Sequence, residues 1–453
     1  MLMREISPVL AVTLALAAAC GDAVQDPGQS STSTSTSGPG STTAEAPTTG
    51  TGDAPTSSTG TPDPGTSSGS DTQVGSSGDP GTTGDAPDPA APLFDPAGLA
   101  QFDIKLSPDA IASLNADHEL YVAGDLTVTI AGEATVLTDI GVRLKGVYGS
   151  FRTLDQKAAF LLNFDRYVDG QRLFDVEKLA VNNMVQDPSM QREQLGYVLF
   201  RAGAVPAPRS GSAVVTVNGA PYGLYTLVEA ADNENFLKQW FADDKGNLYE
   251  GAYGSDLFAD GVTSFDQDNG ANVDFMDLKA LVAALDAITD PADFVTEVRK
   301  VIDLDLFLAF AATEIYLGHW DGYAWTRNNY FIYRRPGDQR WVFIPWGIDQ
   351  IMVDHLDAFG GSGRIQQMCV ASLECRVLLA EQFKAVVARV DELGLAAQAQ
   401  TLADALRDAA VADPRKEYGI DSVDGTVASN IDFLTNRGQS VMDALQCTDP
   451  KAI

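Results

Sequence analysis

Apolar and polar positions alternate over Phe102–Leu106, which predicts a strand, and the pattern then breaks at Ser107 into a helix that opens on Pro108. Leu126–Ile130 and Ala134–Leu137 predict a hairpin around Ala131–Glu133. Ile140–Lys145 and Ala158–Phe164 predict two more strands joined by GVYGSFRTLDQ, and Leu179–Asn182 a short one. A helix is expected from a cap at Asp187, with Pro188 in its first turn, apolar Met190, Leu195, Val198 and Leu199, and a stop at Gly203. Ser212–Val217 and Tyr222–Val228 flank Asn218-Gly219, a strong short-range hairpin signal.

From Asn235 the period lengthens. Asn235–Phe241, Leu278–Ile288, Pro291–Val301, Asp303–Leu317, Cys375–Leu393, Ala396–Val411 and Ser429–Leu445 all read as helices, with strands before Arg334 and at Trp341–Ile344. A β-rich first half followed by an α-rich second half predicts an α+β fold of two lobes, about 101–230 and about 231–450. Ser264–Asp277 resembles a calcium loop only at first sight. Gly270 falls where a ligand is needed and the closing glutamate is missing, so the stretch reads as an acidic loop.

The first 93 residues read differently. Arg4, an apolar run at Val9–Ala19 and the ending LAAAC resemble a bacterial lipoprotein signal, with Cys20 as the lipidated residue; an ordinary secretory signal is the alternative. Residues 21–93 contain no Lys, Arg or aromatic residue, and GDAP occurs at Gly52 and Gly84, so a disordered linker is expected. Residues 94–453 form the candidate folded domain. The chain carries 62 acidic against 30 basic residues, which argues against a nucleic-acid partner and fits solubility outside the cell. Four cysteines include Cys20. Cys369–Cys375 is the simplest disulfide, and Cys375–Cys447 is the alternative.

Candidate chemistry lies in the polar breaks. Lys145 ends one strand and Lys157 begins the next, with Gly146 and Gly149 in the loop between, where backbone N–H groups can approach phosphate oxygens. Glu193, on the helix after Asp187, is a carboxylate that can hold a lysine. Asp321 follows the Asp303–Leu317 helix and can accept a hydroxyl proton. Asn328 and Asn329 just downstream offer neutral amide oxygens, and Asp349, past an apolar strand, offers a hard carboxylate. His319 reads as a packed or capping residue, and the aromatics around Asp321 as a buried turn.

These pieces together (GVRLKGVYGSF, DPSMQREQLGYVLFRAGAVPAP, VTVNGAPYGLYTLVEAAD, LDLFLAFAATE, HWDGYAWTRNNYFIY and WVFIPWGIDQ) resemble the CotH kinase family of atypical protein kinases over about Phe102–Met352. The resemblance implies a divergent two-lobed kinase fold using ATP and Mg²⁺ (or Mn²⁺) to phosphorylate Ser or Thr of proteins; the lipoprotein-like signal would hold the chain, expected to be a monomer, to the membrane through Cys20 and so direct it to protein substrates at the cell surface. It implies Lys157 as the ATP-contacting lysine, Glu193 as its partner, Asp321 as the catalytic acid, Asn329 (or Asn328) and Asp349 as metal ligands, and Glu229 near the hinge. Lys145, Gly146 and Gly149 complete the nucleotide-binding set. One departure stands out: the family usually carries WDxD, and this chain has Gly347 in WGID. That departure motivates an alternative, an inactive pseudokinase serving as a structural or adhesion lipoprotein.

Overall fold

The computed structural model describes residues 88–447, apart from 272 and 354, so Cys20 and most of the linker lie outside the described residues. The first part runs β1 (Ala100–Leu106), α1 (Pro108–Ala116), β2 (Val122–Ile130), β3 (Glu133–Lys145), β4 (Ala159–Asn163), β5 (Lys178–Asn182), α2 (Arg192–Ala202), β6 (Ser210–Val217) and β7 (Ala220–Glu229). Its seven strands close into a barrel in the order β1-β2-β3-β4-β5-β7-β6. Closure is made by β6 lying parallel to β1, with Ala100 opposite Ala213. Alternation along the strands turns Phe102, Ile104, Val142, Phe160, Leu162, Val181 and Leu227 into the barrel core.

The second part runs α3 (Glu234–Phe241), β8 (Asn247–Gly251), β9 (Phe265–Asn269), α4 (Met276–Asp286), α5 (Leu304–Tyr316), β10 (Tyr330–Arg334), β11 (Trp341–Pro345), α6 (Arg364–Ala371), α7 (Leu373–Leu393), α8 (Leu395–Ala412) and α9 (Ile420–Cys447). Its strands form a four-stranded sheet ordered β11-β10-β8-β9. Helix α5 is apolar nearly all round, and such a helix is stable only when enclosed. It sits in a large core shared with α2 (Leu195, Leu199, Phe200) and with Leu224 and Val228 of β7. The barrel wall at β5–β7 is thus covered by helices, and α2 belongs to both parts.

The α+β class holds. The kinase resemblance implied two lobes, and the β-rich part is instead a closed barrel. Ala134–Leu137 and Ile140–Lys145 are one strand, kinked where Asp139 takes a left-handed φ of 52° and its N–H reaches Asp125 Oδ1. The helix expected from Asp187 begins at Arg192. Asp187 still caps it, but from five residues upstream: Oδ2 accepts the N–H groups of Gln191 and Arg192, both at 2.8 Å. The acidic stretch 264–277 contains β9, and Pro291–Val301 is broken into a 3₁₀ turn and a short helix at Phe294–Val298. Asn218 (φ 52°) and Gly219 (φ 77°) make the expected tight hairpin. Cys369 and Cys375 are joined in a disulfide.

Candidate functional site

The cleft side of the barrel ends in polar residues. β3 terminates at Lys145 and β5 at Asn182, and the Lys145 ammonium donates to Asn182 Oδ1 at 3.1 Å. Asn182 Nδ2 in turn donates to both carboxylate oxygens of Glu193, at 2.8 and 2.9 Å. Lys145 and Glu193 are therefore linked through one amide. The Lys145 ammonium also lies 5.4 Å over the Trp346 ring.

Glu193, Gly196 and Tyr197 share one face of α2 by helical spacing. That face lies against the segment after β11. A Cβ on Gly196 would stand 2.6 Å from Ile348 Cδ1 and 2.7 Å from Ile351 Cδ1, so only a glycine lets the helix approach this closely. The approach brings Glu193 near Asp349. Burial, and then the charge of Asp349, push the Glu193 carboxyl up to about 8. Burial also lifts Asp349 to about 6; Lys145 opposes the rise and Asp187 adds to it.

Asp321 occupies the facing turn. Asn328 Nδ2 donates to its Oδ1 at 3.1 Å and Asn329 Nδ2 to its Oδ2 at 3.0 Å, so both asparagines hold the same carboxylate. Asn329 has a left-handed φ of 51° and its carbonyl accepts the Trp346 N–H at 3.1 Å. Its amide oxygen faces Gly347: a Cβ there would sit 2.7 Å from Asn329 Oδ1. Gly347 is itself left-handed, at φ 54°. The aspartate missing from WGID is therefore replaced by space that the Asn329 amide occupies.

Beneath the turn, Glu314 accepts the N–H groups of Tyr323 and Ala324 at 2.9 and 2.7 Å and so fixes the loop that carries Asp321. His319 is fully buried, with Nδ1 3.4 Å from Glu314 Oε1, and packs as expected. Asn182 and Glu314 are the residues that sequence reasoning missed. A signal existed for each: a polar residue ending the apolar run LAVN, and an acid deep inside a largely apolar helix.

Two expected site residues lie elsewhere. Lys157 does not meet Glu193. It is buried where the barrel meets the helices, and its ammonium pairs with Asp413 at 2.5 Å. Glu229 is buried in a two-pronged pair with Arg209, at 2.6 and 2.9 Å, which leaves its carboxylate no lone role at a hinge. Gly146 (φ 112°) and Gly149 (φ 79°) do shape the loop after Lys145, whose tip, Val147 and Tyr148, projects into solvent.

Among the described residues no group of three or more His, Cys, Asp or Glu is arranged to hold a metal ion. The donors present are the Asp349 carboxylate and the Asn329 amide oxygen, both hard oxygens beside a second carboxylate, Glu193, that burial leaves short of counter-charge. This fits Mg²⁺, which is typically held by one or two carboxylates and completes its shell with water and substrate phosphate.

The fold and site define an α+β protein in which Lys145, Asn182, Glu193 and Asp349 come together from separate elements, while Asn328 and Asn329 hold Asp321 in a turn that abuts Gly347. A family model described as CotH kinase protein matches residues 142–441, and the chain belongs to that family. The inner spore coat protein H of Bacillus subtilis is 23% identical over 292 residues, covering 59% of this chain and 78% of that protein. The invasin CotH2 of Rhizopus delemar is 26% identical over 192 residues, 39% of this chain and 32% of the invasin. The inner spore coat protein H-like protein of B. subtilis is 33% identical over 74 residues, 16% of this chain and 22% of that protein.

Proposed function

We propose that the protein is an atypical protein kinase, tethered to the cell envelope through Cys20, that passes the ATP γ-phosphoryl group to Ser or Thr of surface or coat proteins. The observation that supports this most is the hydrogen-bonded chain Lys145–Asn182–Glu193 beside Asp349, with Asp321 held by Asn328 and Asn329 in the turn against Gly347. Lys145, rather than Lys157, takes the phosphate-contacting role, with Glu193 orienting it through Asn182. Asp321, held between two amide donors, accepts the proton of the attacking hydroxyl. Asp349 and Asn329 would hold a divalent cation, which would supply positive charge against the phosphates. The loop with Gly146 and Gly149 covers the nucleotide.

Incubating the purified protein with Mg²⁺ or Mn²⁺ and γ-labelled ATP tests the reading; labelled protein and a nucleotide-dependent melting shift are expected. The inactive alternative draws support from Gly347 and from the lack of a third acid at the cation site among the described residues. Neither labelling nor a melting shift would favour it. For the anchor, Cys20→Ala should move the protein out of the membrane fraction, and retention there would reject lipidation at this residue.

A further inference from the structure

The segment between α8 and α9, residues 413–418, leaves the helical part and lies on the barrel. Four of its residue pairs reach the loop that joins β3 to β4, and three more reach Leu224, Tyr222 and Val185. The Asp413 carboxylate takes the Lys157 ammonium at 2.5 Å and the Leu224 N–H at 3.0 Å. Arg415 donates to the carbonyls of Leu154, at 2.9 Å, and Gln156, and its guanidinium lies 3.6 Å over the Tyr222 ring. Glu417 grips the Arg152 guanidinium with both oxygens, one at 2.7 Å. Tyr418 donates its hydroxyl proton to the Val185 carbonyl. Arg152 in turn donates to the Gly149 carbonyl at 2.9 Å and to that of Phe151 at 2.7 Å, so the grip passes directly to the glycine turn.

The fit is close. A Cβ on Gly223, at φ 107°, would fall 2.1 Å from Asp413 Cγ, so the barrel has made room for this carboxylate. From the other side Asn183 Nδ2 holds the Ser150 and Lys157 carbonyls at 3.0 and 2.8 Å. Both stems of the loop are therefore clamped, while its tip at Val147 and Tyr148 projects into solvent.

We propose that residues 413–418 are a strap that sets the position of the Gly146–Gly149 turn over the cleft, making Arg152 and Glu417 positioning residues for the nucleotide. The role toward nucleotide rests on the kinase reading above. It explains why this family member spends a buried lysine on Asp413: Lys157 anchors the strap, and Arg152 transmits it.

The test uses the full chain and the partly exposed pair, so that the buried pair stays intact. Arg152→Gln and Glu417→Gln are compared with the reciprocal exchange Arg152→Glu with Glu417→Arg. Arg407→Gln, which breaks an exposed pair with Asp424 between α8 and α9, is the control. Mg·ATP affinity is measured by calorimetry, and hydrogen exchange is followed over residues 146–156. Each single variant should weaken nucleotide binding roughly two- to five-fold and speed exchange in the loop, the exchanged pair should recover both, and the control should change neither. Unchanged affinity in the single variants overturns the positioning role. If the wild-type protein binds no nucleotide, the kinase reading fails by itself. Loop exchange then decides the strap: faster in the single variants and recovered in the exchanged pair upholds it, and unchanged exchange removes it.

Discussion

Asp321 and Asp349 are both acids in the cleft, yet their surroundings differ. Asp321 is held by two amide donors and Asp349 lies among other acids beside Lys145. On the proposed reading Asp349→Ala weakens Mg·ATP binding and abolishes transfer, while Asp321→Asn binds nucleotide and loses roughly 10²-fold or more in rate. Calorimetry beside a transfer assay separates the two, and full activity in Asp321→Asn would mean that the base is another residue. Glu193 gives a pH prediction that needs no substrate. Its carboxyl titrates near 8 in the fold against an ordinary value of 4.5. Between those values the native chain binds more protons than the unfolded one, so stability falls as pH rises through this window. Glu193→Gln carries no such charge. In metal-free buffer its melting temperature should match wild type near pH 5 and exceed it by several degrees at pH 8; parallel curves would show that Glu193 is ionised without cost.

At the scale of elements, the contact of α2 with residues 348–351 is what assembles the cleft. Gly196→Val forces two methyl groups into Ile348 and Ile351, which should cost about 1–3 kcal/mol and push Glu193 away from Asp349. Thermal melts and a Mg·ATP titration check both effects, and a variant with wild-type nucleotide affinity would show that the spacing is not critical. Gly196 was visible in REQLGYVLF only as a weak spot in a helix, since nothing local announces a neighbour 150 residues away. Elements whose signals are local were legible: the Asn218-Gly219 hairpin, the Ser107 cap, α5, α7 and α8. The strands β8 and β9 were not, because DQDN is polar and the other partner of β8 is β10, far along the chain. The site was legible in part for the same reason. Asp321, Asn329 and Asp349 stand in polar breaks of apolar runs; the structure sets Asn329 on the Asp321 carboxylate and Glu193 beside Asp349. Which lysine joins them could not be read, because Lys145 and Lys157 flank one loop and differ only in which way the strand ends turn.

Across the whole molecule, Lys157 joins the barrel to the helical part. An exposed strand lysine could be replaced by methionine without loss; this one is 2% exposed and its partner Asp413 is 0% exposed at the side chain. Lys157→Met leaves that carboxylate buried without its counter-charge, and the chain should lose roughly 3–5 kcal/mol. Urea denaturation measures it, and an unchanged midpoint would show that Asp413 is satisfied by the Leu224 and Arg415 N–H groups alone. Barrel closure also has a consequence for how the chain reaches its native state. β1 finds its parallel neighbour β6 more than 100 residues later, and Lys157 finds Asp413 at a separation of 256. Contacts of such reach are entropically late, so the protein should fold slowly, with the barrel's first strand waiting unpaired on one side while most of the chain is still being made.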